Sequence, residues 1–123
     1  MNLNSLAVVA LISVALSSGT ALAQTKWVEI NDDVSVAPFN LTADEMEDLD
    51  VYDATGKRIA EVEEVIGTDA QTPTALAIDF DDSAGYGKTG DVVIPLNQFE
   101  MTGNRFVLNA DADAVSGMET YND

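Results

Sequence analysis

Asp79, Asp81 and Asp82, followed by Ser83, crowd oxygen-bearing side chains into one short stretch. Carboxylates at such spacing suit hard cations, because Ca²⁺ and Mg²⁺ take oxygen ligands. Asn109, Asp111 and Asp113 form a second group with alternate-residue spacing, and Asp32 with Asp33 a third. A helix-flanked calcium loop also needs Gly at its sixth position and a bidentate acid at its twelfth. Counted from Asn109 those places hold Ala114 and Thr120; counted from Asp79 they hold Ala84 and Gly90, so neither run is such a loop. The expectation is a solvated acidic surface, with weak divalent-cation binding at Asp79, Asp81 and Asp82 as the sharper reading.

Other chemistry is excluded by composition. The chain has no Cys and no His, which removes thiol catalysis, His-dependent triads and the usual zinc and copper ligand sets. Paired-carboxylate hydrolysis needs two acids in a cleft. With 22 acidic residues some pair must fall close together, so proximity alone marks no site. The expectation is a non-catalytic protein without a cofactor. Against the 22 acids stand five basic residues, a net charge of −17, which repels nucleic-acid phosphates and anionic lipid headgroups. Nucleic acid is therefore not an expected partner.

The first 23 residues hold no Asp, Glu, Lys or Arg; an apolar run over residues 6–16 leads to "ALA" before Gln24. That is the pattern of a secretory signal peptide, and it predicts a periplasmic protein. A retained membrane anchor is the alternative, opposed by an apolar run shorter than the ~20 residues that span a bilayer. Residues 24–40 read as an N-terminal arm, with a short strand around Trp27 and Pro38 barring a central strand; Trp27 is expected as a packing anchor.

Several elements must position the acids. Thr42 with Glu45 three residues on, and Leu41 with Met46, are a capping box and hydrophobic staple, predicting a short helix over 43–49. The stretch "VYDATGKRIAEVEEVIG" admits a helix, since Ile59, Val62 and Ile66 sit at helical spacing. It also admits a hairpin, since "DATG" is a turn and Val62, Val65 and Ile66 are β-branched. A lone helix would leave the strand before it unpaired, so residues 58–66 are read as a strand, bulged near Glu63 and Glu64. Alternation in "TALAIDF" and "NRFVLNA", with "DVVIP" closed by Pro95 and "FEM" preceding the turn "TGN", predicts further short strands. A helical turn is expected over 112–116, with Val115, Met118 and Tyr121 packing back and the last residues frayed.

In order, the "VYDATG" opening, the "IAEVEEV" strand, the apolar strand, the Gly-containing loop, "VVIPL" and a hairpin ending in "RFVL" resemble a PRC-barrel domain. The resemblance runs from about residue 49 to 121 and is nearest to small, exported single-domain versions. It implies a mostly β fold, a small barrel over 41–123 with one short N-terminal helix and a short C-terminal helical turn. It also implies an adaptor, assembly or regulatory role through a protein partner, and brings no catalytic residues with it. Three positions depart from the family: Ala60 stands where Gly is frequent, and Asp81 and Asp82 stand in a loop that is usually apolar and Gly-rich. The expected partner surface is the edge strands together with Gly85, Tyr86 and Gly87, a large side chain between two glycines. The competing reading of Tyr86 is a lid folded onto the core. The competing function is an acidic cation-binding or envelope-stress protein on the same scaffold.

Overall fold

The computed structural model describes residues 26–122; the expected signal segment, 1–23, lies outside the described residues. In chain order the elements are β1 (Val28–Glu29), β2 (Ser35–Val36), β3 (Leu41–Thr42), α1 (Ala43–Met46), β4 (Asp50–Tyr52), β5 (Arg58–Gly67) and β6 (Pro73–Phe80). They continue with β7 (Asp91–Pro95), β8 (Phe99–Thr102), β9 (Arg105–Leu108), α2 (Ala112–Ser116) and β10 (Thr120–Tyr121).

The turn after β4 settles the ambiguous segment. Asp53 Oδ1 accepts the backbone N–H of Thr55 at 2.9 Å and of Lys57 at 3.0 Å, and Gly56 takes φ of 91°. This side-chain-closed turn folds β4 back on β5 in antiparallel register, Val51 opposite Ala60. Ala60 is fully buried between Val51 and Phe80, so a methyl group fits where the family often keeps Gly. β5 then pairs with β6 along its length, and the register slips between Val62 and Glu64, at the expected bulge.

The large sheet runs β10-β7-β6-β5-β4-β9-β8, with β4 and β9 parallel, and β1 adds to β5 beside the hairpin. Among the described residues no ladder joins β8 back to β10. The mostly β composition and the two short helices agree with the expectation. One face of the curved sheet carries the main core: Val51, Ile59, Val62, Val65, Leu76 and Ile78 are all 1% exposed or less. The N-terminal arm closes this core, Ile30 and Val36 being equally buried. Phe39 meets Phe106 edge-on at 5.0 Å, and Phe106 stacks on Phe99 at 4.9 Å.

Two element ends differ from expectation. The capping box forms, with Thr42 Oγ1 accepting from the Glu45 N–H and the Thr42 N–H donating to Glu45 Oε1. Yet α1 is one turn, not two. Glu47 is extended and Asp48 takes φ of 75°, because the next backbone groups pair with β5. The Asp48 N–H donates to the Val62 carbonyl and the Val62 N–H to the Leu49 carbonyl, both at 2.9 Å. Sheet pairing thus outcompetes the second helical turn. At the other end α2 forms where expected, capped by Asp111 accepting from the Ala114 N–H at 2.9 Å. The short strand β10 follows where frayed residues were expected, and Asp123 lies outside the described residues. Thr120 and Tyr121 pair with Val92 and Asp91, giving β7 a neighbour on its outer side.

Candidate functional site

The structure disperses the predicted aspartates. Asp81 accepts from Arg58 Nη1 at 2.6 Å, while Arg58 Nε donates to Asp50 at 3.0 Å. Asp82 opens a short 3₁₀ turn (Asp82–Ala84) and faces solvent. Asp79 lies on the outer face of β6, its carboxylate within 4.8 Å of those of Glu61 and Glu63. The trio is therefore an ion-paired residue, a turn residue and a member of another cluster. Asp111 is the cap of α2, and Asn109 donates to Glu100 at 3.1 Å, so the second predicted group is engaged locally.

Tyr86 stacks on Phe80 with centroids 4.5 Å apart and planes 16° from parallel. It lies half-buried on the core, and desolvation pushes its hydroxyl pKa up. Gly85 and Gly87 flank it at φ of 86° and 70°, a left-handed backbone that suits glycine, and both are exposed. The geometry is that of a lid whose rim faces solvent. β8 forms one edge of the sheet and presents Met101, 38% exposed.

A different carboxylate cluster was invisible in the sequence. Glu29 of β1, Glu47 just after α1 and Glu64 at the β5 bulge bring carboxylate oxygens within 4.8 Å of one another. Asp32 and Asp44 adjoin it through Glu47. Glu47 Oε2 and Glu64 Oε1 are both shut off from solvent and have no hydrogen-bond donor. Partial burial, then Glu29 and Glu47, push the Glu64 carboxyl up to about 8. Glu47 is raised by burial, then by Asp32 and Glu29. Such a group can share a proton between carboxyls or hold a cation. No one signal in the sequence finds it, because only the pairing of β1 with β5 and the early end of α1 make its members neighbours.

The outer face of the sheet carries a second apolar cluster. Ile66, Ala75, Ala77 and Val93 are at most 5% exposed, covered in part by Trp27 and Tyr121. Beside them runs a groove of about 510 Å³, floored by Ala75 and Val93 and walled by Trp27, Thr74, Pro95 and Met118. The Trp27 indole N–H donates to Glu119 at 3.1 Å, tying the start of the described chain to its end. Trp27 is thus a packing anchor, as expected, and also a groove wall. Farther along the same strands the face turns acidic. Glu63, beside Asp79 and Glu61, has its carboxyl raised by desolvation, then by Asp91, Asp79 and Glu61.

No helix among the described residues is long and apolar enough to cross a membrane. A search of curated proteins finds no match to the chain. The family model of the PRC-barrel domain matches residues 40–115, from the turn before β3 to within α2. That span holds the β4–β5 hairpin, the bulge and strands β6 to β9, and on it the chain belongs to the PRC-barrel domain family.

Proposed function

We infer that this chain is a non-catalytic adaptor of the bacterial periplasm, exported through its N-terminal segment and acting by holding a protein partner. The observation that carries this reading is the outer sheet face, where a preformed apolar groove adjoins a carboxylate cluster outside the main core. An apolar groove bordered by charge is the form a recognition surface takes. The family match supports a small module of this kind. The large negative charge favours solubility and a cationic partner over phosphate-rich or anionic-lipid surfaces.

Site-specific photocrosslinking in the native cell envelope, read by mass spectrometry, tests the reading. A crosslinker at Thr74 is expected to capture one defined protein that a crosslinker at Thr102 does not. Equal capture from both positions, or capture from neither, would refute an adaptor role. Cation binding on the same scaffold is the second reading, favoured by the donorless oxygens of Glu47 and Glu64 beside Glu29. It expects saturating Ca²⁺ to raise the melting temperature beyond the effect of matched ionic strength, with the gain absent in Glu64→Gln.

A further inference from the structure

The two halves of the outer face lie at a fixed distance. On β6, Ala75 floors the groove, and Asp79 belongs to the carboxylate cluster. Ala75, Ala77 and Asp79 alternate onto one side of the strand, and at ~3.3 Å per residue the two ends are ~13 Å apart. β5 repeats the gradient: Ile66 stands opposite Ala75, and Glu61 opposite Asp79. The acidic end is under mutual repulsion. Among the described residues its nearest cation is Arg58, whose Nη2 stands 4.0 Å from Glu61, and that guanidinium is bonded more closely to Asp50 and Asp81.

We propose that this face docks an extended segment of a partner protein that seats one apolar side chain in the Trp27–Val93 groove and places Lys or Arg about four residues on, against Glu61, Glu63 and Asp79. This rests on the adaptor reading and adds the chemistry of the partner. Charge complementarity selects the occupant. A second copy would bring another net charge of −17 to the same surface, whereas a basic segment relieves the carboxylate repulsion it meets. The groove fixes the register of the apolar anchor, and the strand spacing fixes where the positive charge must fall.

The test begins with a display library of peptides of about a dozen residues, selected on the purified full chain at low ionic strength. Enriched peptides are then synthesised and titrated while following the fluorescence of Trp27, the one tryptophan of the chain. The expected winners carry an apolar residue with Lys or Arg about three to five positions away, and they shift the Trp27 emission. Thr74→Arg, a substitution at an exposed groove position, should weaken them about tenfold, because it sets a charged side chain where the apolar anchor is buried. Glu61→Gln with Asp79→Asn should weaken them about threefold and reduce their salt dependence. Far-ultraviolet circular dichroism confirms that each variant remains folded. The proposal is overturned by failure to enrich any peptide, by winners lacking a basic residue, or by binding indifferent to Thr74→Arg. Binding lost on Tyr86→Ala but kept in Thr74→Arg would also overturn it, while leaving the adaptor reading intact. Failure of the adaptor reading shows instead in the envelope crosslinking.

Discussion

The two faces of β6 are made by alternate residues of one strand and behave in opposite ways. Leu76, Ile78 and Phe80 point into the main core and are enclosed from all sides by β5, β7 and the N-terminal arm. Ala75, Ala77 and Asp79 form the other face, where a small apolar cluster gives way within four residues to repelling carboxylates. The inner face is shaped by burial alone. On the outer face, small side chains leave a groove that Trp27 and Met118 border without filling. Stability is thus concentrated on one side, leaving the other free to carry recognition.

Substitutions can break this contrast. Ile78→Ala should be the most damaging, costing about 2–4 kcal/mol in denaturant unfolding, because it opens a cavity at a fully buried site. An equal cost for Asp79→Asn would mean that the two faces do not differ. Tyr86→Ala should come next, at about 2 kcal/mol, from lost stacking on Phe80 and lost half-buried area. No loss would mean that Tyr86 is not a lid.

Glu64→Gln should act in the opposite direction. The native carboxyl is raised from 4.5 to about 8, so the folded state binds the proton more tightly than the unfolded one. Its contribution is fully present below about pH 4.5 and is lost as pH rises through about 8. The wild-type melting temperature should therefore fall across this window, with a flatter profile in Glu64→Gln. At pH near 8 the variant should be more stable by about 1 kcal/mol, a figure discounted for partial exposure. A melting temperature that rises with pH for the wild type alone would contradict the cluster's geometry. Asp79→Asn should have the smallest effect, within about 0.5 kcal/mol by denaturant unfolding, as befits a residue outside the core.

Much of the inner face was legible because alternation reports on local geometry. Leu76, Ile78 and Phe80 recur at the strand period, Pro95 closes β7, and the turn residues Asp53 and Gly56 carry their own conformational preference. Even the bulge at Glu63 and Glu64 was visible, as two polar residues interrupting a β-branched run. The short α1 was not, because its end depends on Asp48 and Leu49 pairing with Val62, far along the chain. β10 was missed for the same reason: two residues have no periodicity, and only the free side of β7 makes Thr120 and Tyr121 a strand.

The candidate site divides in the same way. The sequence could nominate Tyr86 between two glycines, but not whether the ring would lie on Phe80. It could count the acids, but it grouped Asp79 with Asp81 and Asp82 by proximity along the chain. The fold instead gives Asp81 to Arg58 and Asp79 to Glu61 and Glu63. What the sequence determined alone is the strands from β4 to β9, the turns that end them, the capped start of α1 and the negative charge. Each follows from neighbouring residues or from a sum over the chain. Only the tertiary structure decided which carboxylates share a boundary, where the sheet stops, and that Trp27 and Met118 border one groove. These depend on contacts between distant segments, and contact energies between distant segments act only once the chain has closed the loops between them.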